Sequence, residues 1–530
     1  MADADALVIG SGPNGLVAAN VLADAGWSVV VLEAEPDPGG AVRSGEITEP
    51  GFTHDRFSAF YPLAAVSPPL RRLGLEAHGL KWRRAPLVLG HPTPDGKAAV
   101  VADDLDVTAA ALDAYAPGDG AAWEATYREW QRLGTDLVAA LLSPFPPVRA
   151  GARLAARLGP RGALRFGRFS LLPVRRFGEE TFTGAGGQLL LAGLALHTDL
   201  GPDSAAGAVF GWLLACLGQE HGFPVPEGGS GNLTAALVRR LESRGGVIRC
   251  DARVTRIEVR AGRAVGATCA DGTSFSAARA VLADTGAPTL YRDLVGAEHL
   301  PGDLLDALSE FQYDHGTFKV DWALSGPVPW TAEPLRRAGT VHLADSMDDL
   351  THYVAQLATD HVPERPFLIV GQLTTADPTR SPAGTETLWG YTHVPTRVRG
   401  DAGGGITGQW DDAETQAFAD RIEAEIERRA PGFRSLVRAR HVLAPPGLEA
   451  ADANLVGGAI NGGTAQLHQQ LVLRPTPGLG RAETPLRGLY LASASAHPGG
   501  GVHGACGANA ARAALAAERR GRFVRALGGR

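Results

Sequence analysis

Ala6-Leu7-Val8-Ile9 running into Gly10-Ser11-Gly12-Pro13-Asn14-Gly15, then an apolar helix pattern over residues 16–25, then Val29-Val30-Val31-Leu32-Glu33, decides the fold of this chain. The run reads as strand, glycine turn, helix and strand, a βαβ unit shaped to hold a dinucleotide. Gly10 permits the tight turn, Gly12 lets the backbone approach a pyrophosphate, and Gly15 lets the helix pack closely on the strand. Pro13 and Asn14 belong to the same phosphate-facing turn, where the helix N-terminus presents free N–H groups. Glu33 falls where a ribose hydroxyl needs an acceptor. A G-x-G-x-x-G alone is weak evidence; the strand before it, the helix after it and the acid about 20 residues on complete the pattern.

Just beyond the second strand, Gly39-Gly40-Ala41-Val42-Arg43-Ser44 places a glycine pair ahead of a cation. Arg43 can pair with a pyrophosphate seated on the first helix. A surface turn with a solvated arginine is the bland alternative, and the position after Glu33 favours the phosphate role. A second block spans residues 228–300: Gly228-Gly229-Ser230-Gly231, a helix over 232–243, a strand over 247–250, a hairpin through Val254, and Ala280-Val281-Leu282-Ala283-Asp284. It has no strand before its glycines and no distal acid, so no second dinucleotide domain is expected. The third block carries the strand Gly488-Leu489-Tyr490-Leu491-Ala492 through His497-Pro498 into Gly499-Gly500-Gly501 and a helix expected to begin near Val502. Glycines at such a junction mark close approach of backbone to ligand.

The whole chain sets bounds on this reading. Its 530 residues exceed what one core supports, and a net charge of −7 argues against a nucleic-acid partner. Cys216, Cys250, Cys269 and Cys506 are widely spaced, so neither a disulfide framework nor a metal site is indicated. The acidic opening Met1-Ala2-Asp3 lacks the basic region of a secretory signal, and no apolar run is long enough to span a bilayer. A cytoplasmic protein is expected. The fold class is α/β, a discontinuous Rossmann-type dinucleotide domain with an α+β substrate domain. The expected division gives residues 1–75, 225–300 and 480–530 to the dinucleotide domain, and 76–224 and 301–479 to the substrate domain. In the latter, residues 316–324 and 365–370 read as strands and 411–429 as a helix.

In order and spacing these three blocks resemble the phytoene-desaturase-like flavoproteins of the amine-oxidase and glutathione-reductase-type FAD superfamily. Gly39-Gly40-Ala41, Pro50-Gly51-Phe52, Gly228-Gly229-Ser230-Gly231-Asn232-Leu233 and His497-Pro498-Gly499-Gly500-Gly501-Val502 are most similar to the carotenoid ketolases and the pyridine nucleotide-disulfide oxidoreductase domain-containing protein 2 branch. The resemblance implies bound FAD. It implies that Gly10, Gly12, Gly15 and Glu33 hold the ADP half, that Arg43 meets the pyrophosphate and Val254 the adenine through its backbone, and that Gly499, Gly500, Gly501 and Val502 lie against the isoalloxazine. A helix N-terminus near Val502 would favour negative charge on a reduced flavin. Ser493, Ser495, Ala496 and Cys506 depart from the usual family pattern.

Other residues bear on the substrate. Residues 148–178 hold Arg149, Arg153, Arg157, Arg161, Arg165, Arg168, Arg175 and Arg176, an amphipathic basic run that can lie on anionic lipid or simply be a solvated face; Pro160 and Gly162 are expected to interrupt its helix. His497, next to the glycine cluster, is the catalytic candidate, with loop ordering as its alternative. His54 and Asp55 read mainly as loop-fixing groups. Lys319 resembles the lysine that amine oxidases hold near flavin, but its alternation with Phe318 and Val320 predicts a surface lysine. The reading is an FAD-dependent oxidoreductase that desaturates or ketolates a hydrophobic, isoprenoid or carotenoid-like substrate by hydride transfer, with oxygen or a quinone as acceptor. The rivals are an amine or amino-acid oxidase and a lipid-binding scaffold of GDP-dissociation-inhibitor type.

Overall fold

The computed structural model describes residues 3–528; Met1, Ala2, Gly529 and Arg530, at the two ends of the expected dinucleotide domain, lie outside the described residues. Five strands run parallel in the order Val247–Arg249, Val29–Leu32, Ala4–Ile9, Ser274–Ala283, Leu489–Leu491. They come from the three blocks of the sequence. Their apolar side chains are buried on both faces through most of the sheet, as parallel sheets require. The outer half of Ser274–Ala283 continues into an antiparallel meander with Arg263–Cys269 and Val254–Arg260.

Pro13–Asp24 is the first helix, with proline in its first turn and Leu16, Val17, Ala18, Ala19 and Leu22 buried. The last helix, Ala505–Gly528, crosses it so closely that a Cβ on Gly507 would stand 1.8 Å from the Asn14 carbonyl oxygen. Only glycine fits that crossing. This helix starts three residues later than its expected origin near Val502. Gly504 has φ +64° and a Cβ there would meet Val17 at 2.6 Å, so the glycine loop stays irregular until the chain has cleared the first helix.

A second, seven-stranded sheet orders Val437–Leu443, Gly316–Leu324, Glu386–Val394, Leu368–Gln372, Ala338–Leu343, Leu87–Pro92 and Ala98–Val101. Period-two alternation gives its two faces different jobs. Phe318, Val320, Trp322, Leu388 and Val370 point to a face that packs on Asp412–Arg429 through Phe418, Ile422 and Ile426. The opposite face is covered at one end by the apolar helices Ala185–Ala195 and Gly207–His221, and at the other by residues 53–60 of the first block.

A buried guanidinium joins the two sheets. Arg380 is fully buried and donates to both carboxylate oxygens of Asp55, at 3.2 and 3.1 Å, and to Asp377 at 3.2 Å. Asp55 also accepts from the Ser230 N–H at 2.7 Å, and Asp377 from the Gly228 N–H at 2.7 Å. One ion cluster therefore ties residues 53–56, the 228–231 glycine loop and the 377–380 turn. Replacing Arg380 with alanine would leave two buried carboxylates without their cation, and we expect a loss of roughly 3–5 kcal/mol, read as a lower denaturant midpoint. Arg380→Lys should recover only part of it, because one ammonium cannot reproduce the fork on Asp55.

Candidate active site

The turn at residues 10–15 is tighter than a ligand alone would demand. A Cβ on Gly15 would lie 2.2 Å from the Gly10 carbonyl oxygen, and a Cβ on Gly12 would lie 2.8 Å from a carboxylate oxygen of Asp284. Asp284, one residue past the Ser274–Ala283 strand, is buried and accepts from the Gly15 N–H at 2.7 Å. Burial raises its pKa to about 7, and Asp452 and Glu33 push the same way against the Gly15 N–H. The sequence shows Asp284 closing its strand but not its meeting with Gly15, 269 residues away.

Glu33 is buried, and its Oε2 accepts from the Ser11 N–H at 2.8 Å and the Ser11 hydroxyl at 2.5 Å. The Ala252 N–H donates to the Glu33 carbonyl at 2.7 Å, which lays the start of the Val254–Arg260 strand beside it. Gly39 and Gly40 close over the turn; with φ +52°, Gly40 would bring a Cβ to 3.1 Å from the Gly12 Cα. Arg43 stands behind Gly40, donating to the Gly40 carbonyl at 2.9 Å and the Ala451 carbonyl at 2.8 Å, with its guanidinium over Phe57. Pro13 and Asn14 form the first turn of the helix, and the buried Asn14 side-chain oxygen has no hydrogen-bond partner among the described residues.

This cradle fits FAD. Gly12, which opens the first helix, has no side chain to cap it, the backbone there is a shallow floor of glycines, and an acceptor stands at the end of the second strand. Gly10, Gly12, Gly15, Gly39 and Gly40 would receive the pyrophosphate, Glu33 the ribose and the backbone at Val254 the adenine.

At the far end of the cradle lie Gly499, Gly500, Gly501 and Val502. The last helix begins only at Ala505, whose N–H is capped by His503 Nδ1 at 3.0 Å, so its dipole does not start at Val502. Beneath Gly499 sits Arg474, fully buried, donating to the carbonyls of Ala494, Thr464 and Asn461 at 2.8–2.9 Å. That buried cation, which no sequence motif marks, supplies positive charge under the glycine loop; burial lowers its pKa from the ordinary guanidinium value. His497 is buried, its Nε2–H donating to the Ser143 carbonyl at 3.1 Å and its ring edge-on to Phe145. Burial pulls it down to about 4, so it is neutral at ordinary pH. A small cleft of about 50 Å³ is lined by Thr198, Asn461, Arg474, Pro498 and Gly500 among others.

A further set of polar side chains lies on the second face of the seven-stranded sheet, a roof over residues 53–60. Strand register sets Lys319 opposite Tyr391, and Asp321 opposite Trp389 and His441. The expected surface position of Lys319 is therefore wrong. Its ammonium is buried against Asp321, because that strand lies under residues 53–60 rather than under water. Burial alone would raise the Asp321 carboxyl, but the Lys319 charge and His54 hold it below its ordinary value. His54 reaches Asp321 at 3.6 Å and Thr48 at 2.7 Å. Asp55 serves the Arg380 clamp, so it fixes the loop. Farther along the same face, His197 and His342 share a 2.9 Å hydrogen bond, and Trp389 stacks on Tyr391. Burial depresses His197 to about 4 and His393 to about 3. Apart from the internally neutralised Lys319–Asp321 pair, this roof offers hydrogen bonds and aromatic surface without net charge.

Comparison with known proteins follows the same lines. The family described as flavin containing amine oxidoreductase matches residues 14–351. The chain is 29% identical over 551 residues to pyridine nucleotide-disulfide oxidoreductase domain-containing protein 2 of Mus musculus, covering 96% of this chain and 92% of that protein. It is 27% identical over 534 residues to hydroxyneurosporene desaturase of Cereibacter sphaeroides, covering 96% and 97%. An oxidoreductase from Methanosarcina mazei shares the fold at a TM-score of 0.60 and 16% identity, covering 96% and 99%.

Two outcomes test the cradle. Glu33→Ala and Arg43→Ala should each weaken FAD retention roughly tenfold, measured as flavin released on dilution; full flavin content in both would remove them from the site. Asp284 should make folding stability pH-dependent. Its folded-state pKa lies near 7, above the 3.8 of the free group, so its favourable contribution is complete below 3.8 and lost as pH rises through 7. The denaturant midpoint should fall across that interval and level off above 7. Asp284→Asn, which keeps the neutral shape, should flatten that profile.

Proposed function

The chain belongs to the flavin containing amine oxidoreductase family, and from that premise we propose that it uses FAD to dehydrogenate or oxygenate an uncharged, isoprenoid-like substrate. The bound flavin supplies a two-electron acceptor for a hydride from substrate carbon, and the electrons leave it for oxygen or a quinone.

The observation that carries this reading is the neutral roof. An amine substrate arrives as a cation and needs a carboxylate free to meet it, whereas Asp321 is already held by Lys319. Buried imidazoles at His197, His342 and His393 stay neutral and can meet an uncharged polar group without the cost of burying charge. Trp389 and Tyr391 present ring faces to apolar carbon. The single dinucleotide fingerprint supports an external acceptor rather than a nicotinamide bound in its own domain. The chain's own work is positioning and exclusion of water: Arg474 and the glycine loop fix the floor, and the sheet face closes over it.

A relative named for desaturating hydroxyneurosporene supports an extended isoprenoid as the substrate class. The second reading, an amine oxidase, is favoured by the buried Lys319, which stands on the roof as a family lysine would. The stacked rings weigh against it: Trp389 and Tyr391 lie 5.5 Å apart at 13°, leaving no slot between them for a substrate.

Anaerobic mixing separates the two. The purified flavoprotein should lose its oxidised-flavin absorbance with acyclic carotenoids or monoterpenes and keep it with a panel of primary and secondary amines. Anaerobic bleaching with amines alone, followed by peroxide release once oxygen is admitted, would replace the isoprenoid reading with the oxidase. A protein that cannot be loaded with FAD would fall to the scaffold reading.

A further inference from the structure

The helix Val148–Phe169 is the element whose burial the fold does not explain. A surface helix ordinarily buries a stripe at least 100° wide; among these 22 residues only Ala150 is buried. The chain breaks its helical path once, at Gly159 with φ 62° and ψ 176°, one residue before Pro160, so two short amphipathic segments lie end to end. Its C-terminal end is pinned by Phe169 against Trp212 and Phe177. Leu154, Leu158, Gly162 and Phe166 form a half-buried stripe, the helix lies along Asp119–Leu141, and its other side chains face solvent.

What it exposes is both apolar and cationic. Val148, Leu164 and Leu171 are 72%, 79% and 62% exposed, three of the eight large apolar side chains left exposed among the described residues. Arg153 and Arg157 both close on Asp136, and Arg168 on Glu180. Arg149, Arg161 and Arg165 form no ion pair among the described residues, and residues 148–178 contain no acid. Arg161, Leu164, Arg165 and Arg168 recur at three- and four-residue spacing within the helix, so they share one face, and the exposed Leu171 lies in the turn just beyond it. Leucine interleaved with unpaired arginine matches a surface that is apolar within and negative at its rim.

The position of the helix is as telling as its composition. Residues 143–147 lead directly into it, and there the Ser143 carbonyl accepts from His497 while Phe145 packs on the His497 ring. The near end of the exposed helix is thus the outer wall of the glycine loop. At the other end, Trp212 belongs to the Gly207–His221 helix, which also contributes Phe210 to the cleft at Gly500.

We propose that Val148–Phe169 and the turn to Leu171 form a docking surface for an anionic lipid bilayer, placed so that an apolar substrate passes from the bilayer to the glycine loop past residues 143–147. Docking stands on the surface alone; delivery rests on the isoprenoid reading.

The test is co-sedimentation of the FAD-loaded protein with phosphatidylglycerol-rich vesicles and with pure phosphatidylcholine vesicles. The wild type should pellet with the first, less so as salt is raised, and remain in solution with the second. The triple change Arg149→Gln, Arg161→Gln, Arg165→Gln should lower partitioning roughly a hundredfold, since each basic residue near such a surface contributes about fivefold. Leu164→Ser with Leu171→Ser should weaken the binding that survives high salt. All of these positions are exposed, so flavin content and turnover of detergent-dispersed substrate should be unchanged. Equal binding to both vesicle types, or unchanged binding in the arginine variant, would overturn the proposal. So would self-association that the leucine variant abolishes in the absence of vesicle binding, which assigns the face to a second copy. Vesicle binding without any flavin response to isoprenoids would leave docking intact and overturn only the functional reading.

Discussion

The first block, the second block and the large sheet are held in register by the buried guanidinium of Arg380. Its partners Asp55 and Asp377 each reach onward to an N–H of the 228–231 loop, so one cation fixes the first block, the second block and the large sheet together. A buried cluster of this kind gains little net stability over well-packed apolar groups. Its value lies in direction. Charged hydrogen bonds specify distance and angle, and here they fix the large sheet against residues 53–56 and the 228–231 loop.

The cradle shows a second constraint, the close approach of three backbones. Gly12 and Gly15 are usually explained by the ligand, yet the protein itself requires them: Asp284 occupies the space of one absent Cβ and the Gly10 carbonyl that of the other. The price is a carboxyl held near neutrality among Asp452 and Glu33. Local electrostatics that disfavour a second negative charge also leave the Asp284 carboxyl able to act as a donor at ordinary pH. At the opposite end Arg474 makes the complementary arrangement, a cation satisfied by carbonyl oxygens alone. A carboxyl thus sits beside the 10–15 turn and a guanidinium beneath the 499–501 glycines.

Between them, one sheet separates two environments by strand alternation. Phe318, Val320 and Trp322 build a dry core with the Asp412–Arg429 helix, while Thr317, Lys319 and Asp321 on the same strand face the site. Burial then keeps the imidazoles of that face neutral. A roof of neutral donors, acceptors and aromatic rings suits a substrate without charge, and the exposed helix at residues 148–169 suits a source of such substrate that is itself a lipid phase.

The sequence by itself determined the elements whose signals are local. The strand, glycine turn, helix and acid of residues 4–33 stand where their spacing puts them, as do the 231–243 and 412–429 helices and the strand at 316–324. It could not decide what covers a strand. Alternation around Lys319 is the same whether the polar face meets water or another domain, and only the packing of residues 53–60 against it settles burial. Nor could it find Asp284, whose partner Gly15 lies 269 residues away, or Arg380, 325 residues from Asp55. The helix start at Ala505 was set by a steric crossing with Val17 that no local pattern records. Backbone periodicity is written between near neighbours in sequence, whereas burial, charge pairing and close approach are properties of segments that meet only when the chain has folded.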